Sequence, residues 1–180
     1  LHQKKILETY KNLTHKYFLN EEFLVDKMPY NFLLIGFIKT ALPGSKIILA
    51  TRNPIENCLS IYKQKFKTGN NFAYSLKEIA EYYNLYNDLI THWRTIFTNP
   101  FHEIKYEDLV LQSENEIRKL LKYCNLDWEE DCLRFHQTKR VVKTASAAQV
   151  RLPIYNSSVS MSKNYGDNIK ELTQLLDSTS

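Results

Sequence analysis

An apolar run, Lys46-Ile47-Ile48-Leu49-Ala50, leads directly into Thr51-Arg52-Asn53-Pro54. The run lacks polar alternation, which is how a parallel strand buried on both faces reads. Pro43-Gly44 supplies the turn before it. Beyond it, Asn53 has the short polar side chain of an N-cap, and Pro54 has the fixed φ suited to a first helical position. A buried strand feeding straight into a helix implies an α/β sheet covered by helices.

The rest of the chain fits that pattern. Gln3–Tyr17 carries apolar residues near helical spacing and reads as a helix. Glu22–Asp26 reads as a short strand ended by Lys27-Met28-Pro29, and Asn31–Leu42 as an apolar helix stopped by Pro43-Gly44. The helix opened by Pro54 is expected to run towards Phe66, with a loop over residues 67–71 and a long amphipathic helix over Leu76–Phe97. His102–Tyr106 reads as a second buried strand. Ser113 with Glu116 has the spacing of a capping box opening a helix to Cys124. A short helix over Trp128–Phe135, a long ordered loop over Arg140–Ser160 and a last helix over Asp167–Leu176 complete the reading.

Composition excludes several classes. Apolar residues make up 43% of 180, enough for a core and against disorder. A net charge of +4, with no basic block interleaved with aromatics, permits an anionic ligand without demanding nucleic acid. The longest apolar run, around Phe32–Phe37, is far shorter than the roughly 20 residues of a membrane span. Cys58, Cys124 and Cys132 form no Cys-x-x-Cys pair, so reduced thiols in a cytoplasmic protein are expected rather than zinc or disulfides. The five histidines show no metal-ligand spacing, and Tyr82-Tyr83-Tyr86 reads as packing rather than a stacking platform.

Three constellations bear on chemistry. Arg52, at a strand end and beside a helix N-terminus, combines a planar fork with a partial positive charge, both of which suit phosphate. Ser60, two turns on, adds a hydroxyl. Taken alone, an arginine ion pair and a surface serine explain the same residues. Lys27 closes the strand read at 22–26, where open α/β sheets meet their ligands, although a solvated lysine is the default. Thr144–Tyr155 combines small residues and hydroxyls with Arg151, which as composition is only a loop.

In order and spacing the pieces resemble the sulfotransferase superfamily, in particular its tyrosylprotein-sulfotransferase-like branch, which includes bacterial proteins with tetratricopeptide repeats ahead of the catalytic domain. The carriers are Asp26-Lys27-Met28-Pro29, Pro43-Gly44-Ser45-Lys46-Ile47-Ile48, Arg52-Asn53-Pro54 with Ser60, Tyr106-Glu107-Asp108-Leu109, Leu126-Asp127-Trp128-Glu129, and Ser146 followed by Gln149-Val150-Arg151 and Pro153-Ile154-Tyr155. The resemblance runs from Asp26 to about Tyr165.

The resemblance implies a P-loop-NTPase-like, three-layer α/β fold with a parallel sheet flanked by helices. It also implies transfer of a sulfuryl group from 3′-phosphoadenosine 5′-phosphosulfate to a hydroxyl of a protein, carbohydrate or small molecule, without a metal. By the same resemblance Arg52 and Ser60 bind the donor's 3′-phosphate. Lys27 offsets charge developing on the transferred group, and Ser146 assists it. Tyr106, Gln149, Val150, Arg151 and Tyr155 wrap the adenosine bisphosphate. The family's 5′-phosphosulfate loop and its catalytic base match nothing in these residues, which implies a partial domain, residues 1–180, holding the 3′-phosphate half and inactive alone. Gln64 and Met161-Ser162 stand where the family carries a basic residue and a basic-plus-tryptophan pair. A non-catalytic adenosine-bisphosphate-binding or scaffold remnant is the alternative. A nucleotide kinase is disfavoured by the lack of a Walker lysine. An upstream signal-anchor would move the expected compartment to the Golgi lumen.

Overall fold

The computed structural model describes residues 2–18, 22–66, 69–138, 151–154 and 159–177. The chain divides into two compact units, Leu1–Ile47 with Tyr86–Pro100, and Ile48–Leu85 with Phe101–Ser180.

In the first unit, helix α1 (His2–Phe18) packs on helix α2 (Ile35–Ala41). Pro29–Leu34 forms 3-10 turns that run into α2, so the helix expected from Asn31 begins in the tighter form. Glu22–Asp26 is not a strand. It has the apolar centre of a short strand, Phe23-Leu24-Val25, but residues 23–28 have no ladder partner among the described residues. The segment is tied down instead by the Tyr10 hydroxyl, which donates to Asp26 Oδ2 at 3.0 Å. Burial, then the Asp26 hydrogen bond and charge, push the Tyr10 phenol above its ordinary value, keeping the proton that this bond needs. Ile35, Ala41 and Ile90 are the buried centre of the unit. Trp93 lies against Gly36, and its indole N–H donates to the carbonyl of Phe32 at 3.0 Å. Tyr86 meets the Phe32 ring edge-on at 5.0 Å.

In the second unit, strand β1 (Ile48–Thr51) pairs in parallel with strand β2 (His102–Lys105), Ile48 opposite His102 and Thr51 opposite Lys105. Each strand buries one residue, Leu49 and Ile104, while Ile48 is 45% exposed. The expectation of two buried faces is therefore corrected to one. Helices α5 (Tyr106–Leu111) and α6 (Ser113–Cys124) pack against β2, and the described sheet has only these two strands.

Helix α3 (Pro54–Lys63) starts as its sequence dictates. Asn53 Oδ1 accepts the Glu56 N–H at 3.2 Å, and Pro54 occupies the first turn. It ends at Lys63, short of Phe66, because Gln64 turns extended. Helix α4 (Leu76–Ile96) agrees with its expected span. The Ser113–Glu116 capping box does not form. The Ser113 hydroxyl donates back to the Leu109 carbonyl at 2.8 Å, because α5 ends immediately before it, and Glu116 pairs with Lys119. Asn125, at φ 60°, closes α6 in the left-handed conformation that asparagine tolerates. The Trp128–Phe135 helix is replaced by two 3-10 turns, Glu130–Cys132 and Phe135–Gln137, with Trp128 under the Arg118 guanidinium at 3.9 Å. Helix α7 (Lys170–Asp177) follows a 3-10 turn at Gly166–Ile169. Most of the loop read over 140–160 lies outside the described residues.

The core joins Cys58 and Leu59 of α3, Ile79 and Ala80 of α4, and Ile169, Leu172 and Leu176 around α7. Tyr83 packs against this cluster and Tyr82 stacks on Phe72 at 4.3 Å, so these two tyrosines serve packing, as expected. All three cysteines are free thiols. Burial pushes the Cys58 thiol up to about 12 from an ordinary 9.0. Folding therefore gains from the protonated thiol at any pH below 9.0, and loses that gain as pH rises towards 12. In native protein at pH 8, an aromatic disulfide reagent is expected to label Cys124 and Cys132 and to spare Cys58. All three should react in denaturant. Labelling of Cys58 at the rate of the other two would show that α3 does not hold it buried.

Candidate functional site

Two parallel strands that each end in a helix start place two turns side by side at the carboxyl edge of the sheet, where α/β proteins bind ligands. In this chain the turns are β1–α3 and β2–α5, and three pairs of residues join the two strand–helix units. Thr51 Oγ1 donates to Glu103 Oε1 at 3.1 Å. The Asn53 backbone N–H donates to Glu107 Oε1 at 2.9 Å. Arg52, between Thr51 and Asn53, lays its guanidinium over the Tyr106 ring at 4.8 Å. A cation on an aromatic face keeps its charge while its orientation is restricted. The Arg52 side chain is 18% exposed, enough to meet a ligand from solvent.

Glu56, one turn into α3, is the residue that sequence reasoning missed. It is 2% exposed, and its carboxylate accepts the N–H of Ser162 at 2.9 Å and of Met161 at 3.1 Å. Arg52 Nη2 stands 4.0 Å from the same group, a loose ion pair. The spacing of Arg52 and Glu56, four apart across a helix start, is a visible signal of a local pair. The two amides come from residues more than 100 positions away, and no spacing rule reaches them.

Of the residues picked out by sequence, Arg52 and Tyr106 are brought into contact, and Ser60 is half-buried on the same α3 as Glu56. Arg151 is exposed at the start of the described stretch 151–154. Lys27 is exposed in the extended segment of the first unit. Ser146, Gln149, Val150 and Tyr155 lie outside the described residues. Met161 and Ser162 act through their backbone on Glu56, while the Met161 side chain packs against the core and stands with its sulfur 3.0 Å from Lys63 Nζ. Among the described residues no three His, Cys, Asp or Glu side chains gather as metal ligands. No described helix is long and apolar enough to cross a membrane.

A family model described as the sulfotransferase family matches residues 1–130, nearly three-quarters of the chain. The chain belongs to the sulfotransferase family. Lys27, Arg52, Ser60 and Tyr106 fall within the matched span, and the 146–155 stretch lies beyond it. An uncharacterized protein of Aquifex aeolicus (strain VF5) is 36% identical over 156 residues, covering 85% of this chain and 20% of that protein. The chain thus spans a fifth of the length of this curated relative. The sulfotransferase domain from the curacin biosynthetic pathway superposes with a TM-score of 0.58 at 19% identity, over 96% of this chain and 66% of that one. That likeness shows the fold, a sulfotransferase-type arrangement of helices and parallel sheet.

Proposed function

We propose that the protein transfers a sulfuryl group from 3′-phosphoadenosine 5′-phosphosulfate to an acceptor hydroxyl, and that residues 1–180 carry the 3′-phosphate-binding half of the catalytic domain. The observation that carries this reading is the setting of Arg52. It is a partly exposed cation at the carboxyl end of a parallel strand, steadied on Tyr106 and one residue ahead of a capped helix start. A planar guanidinium so placed suits a phosphate dianion, which it can bind in a bidentate way. The donor supplies the reactive sulfuryl group. Arg52 and Ser60 would hold its 3′-phosphate, with Tyr106, Gln149, Val150, Arg151 and Tyr155 around the nucleoside. Lys27, helped by Ser146, would meet the charge that develops at the transferred group. Positioned charges of this kind, rather than covalent participation by the protein, dominate such transfers.

The order of motifs favours the tyrosylprotein-sulfotransferase-like branch, hence a protein-tyrosine or carbohydrate hydroxyl as acceptor, and the free thiols favour the cytoplasm. Gln64 and Met161-Ser162 favour a second reading, a non-catalytic domain that keeps the bisphosphate or serves as a scaffold. Calorimetry on the intact protein with adenosine 3′,5′-bisphosphate, beside adenosine 5′-monophosphate, tests the site. Binding should be selective for the bisphosphate, and Arg52→Ala should weaken it by about 1.5–3 kcal/mol, one charge-assisted contact. Equal affinity in the mutant would remove Arg52 from the site. Selective binding without sulfuryl transfer by the intact protein would select the second reading.

A further inference from the structure

Glu56 occupies an unusual place for a carboxylate. It is almost wholly buried, on the helix that follows Arg52, and both of its oxygens are engaged. Oε1 accepts from Ser162 and Oε2 from Met161, while Oε2 is also the atom nearest the Arg52 guanidinium. Met161 and Ser162 begin a 3-10 turn, Met161–Asn164, whose preceding residue Ser160 makes no side-chain cap. The free amides at the start of that turn are therefore capped by a carboxylate from another element. Two backbone donors and a nearby guanidinium offset a buried negative charge that would otherwise be costly.

The contacts run along one stripe of α3. Glu56, Ser60 and Lys63 are spaced four and three apart, which places them on one helix face. Glu56 holds the backbone of residues 161 and 162 at one end of the stripe, and Lys63 stands against the Met161 sulfur at the other. Ser60 lies between them, half-buried.

We propose that Glu56 is a positioning residue for the 3′-phosphate site: it fixes the Met161–Ser162 backbone against α3 and orients Arg52, so that Arg52 and Ser60 present to the phosphate in one arrangement. Glu56 does not touch the phosphate. This rests on the proposed function, since it assigns the site a phosphate. It accounts for a carboxylate lying beside an anion site, because the Glu56 charge is directed into two backbone amides, with one terminal nitrogen of the arginine fork, Nη2, 4.0 Å away.

Glu56→Gln in the intact protein tests it. Glutamine keeps the size and one acceptor oxygen, but loses the charge and turns an amide NH2 towards one of the two donors. Amide exchange at Met161 and Ser162 should speed up about 10-fold, the loss of roughly one charge-assisted bond, while exchange in α7 stays at its wild-type rate and reports an intact fold. Affinity for adenosine 3′,5′-bisphosphate should fall about 10-fold and affinity for adenosine 5′-monophosphate should hold, a selectivity that general loosening would not produce. Wild-type selectivity retained by the variant, with a folded α7, overturns the positioning role alone. A wild type that does not distinguish the two nucleotides overturns the functional reading instead. If the glutamine variant exchanges rapidly throughout, Glu56→Asp is the second variant. It retains the charge, so bisphosphate selectivity should survive even where absolute affinity drops, and its loss would overturn the proposal.

Discussion

Replacing Leu172 by alanine is expected to cost about 3 kcal/mol of stability, in line with buried Leu→Ala changes that leave a cavity. Leu172 is fully buried in α7 and belongs to the cluster built with Cys58 and Leu59 of α3 and Ile79 and Ala80 of α4. Those neighbours sit on helices held by their own caps and packing, so they cannot collapse far into the space left behind. Lost transfer energy and lost contacts then add together. Urea denaturation followed by circular dichroism would measure the effect, and the melting temperature should fall by about 6–12 °C for a chain of this size. The exposed neighbour Glu171, changed to alanine, should stay within about 0.5 kcal/mol. A Leu172→Ala loss as small as that control would mean that α7 does not close this core. Met161 and Tyr165 pack against the same cluster, so the segment held by Glu56 should also loosen in the mutant.

Gly36→Val is expected to cost about 3 kcal/mol, at the upper end for overpacking. A Cβ at position 36 would stand 2.6 Å from Trp93 Cζ3 and 2.8 Å from Cη2, well inside contact distance. The indole cannot simply swing aside, because its N–H is bonded to the Phe32 carbonyl and Phe32 is itself held edge-on to Tyr86. Glycine within a helix normally sacrifices up to about 1 kcal/mol relative to alanine, so replacing it would help were there room; the steric penalty is the larger quantity. Gly44, where an added Cβ would meet nothing within 4 Å, is the control, and Gly44→Ala should be close to neutral. Thermal denaturation with near-ultraviolet dichroism would report both stability and the Trp93 environment. Equal stability of Gly36→Val and wild type would show that Trp93 is free to move.

Much of this architecture was legible because its causes are local. Asn53 and Pro54 start α3 through their own side chains and φ preference, and the strands expected in the apolar run 46–50 and over 102–106 form there, as Ile48–Thr51 and His102–Lys105. The ends of α4 and α6 fall within a residue of expectation. Where the expectations failed, the missing term was a partner. Residues 22–26 have the apolar centre of a short strand, Phe23-Leu24-Val25, yet no neighbouring strand pairs with them among the described residues. The two sheet strands read as buried on both faces, but only Leu49 and Ile104 are covered. Ser113 had the spacing of a capping box, but α5 supplied a nearer acceptor at Leu109.

The site divides in the same way. Sequence by itself determined that an arginine would follow a strand and precede a capped helix, and the resemblance to the sulfotransferase family drew attention to Tyr106, far along the chain from that arginine. Only the tertiary structure decided that the Arg52 fork lies on the Tyr106 ring, that Glu107 holds the Asn53 amide, and that Glu56 captures the amides of Met161 and Ser162. Caps, turns and periodicity act over a few residues and leave a signature in the order of the chain. A buried carboxylate that accepts from residues far along the chain leaves none, because the fold alone brings donor and acceptor within hydrogen-bonding distance.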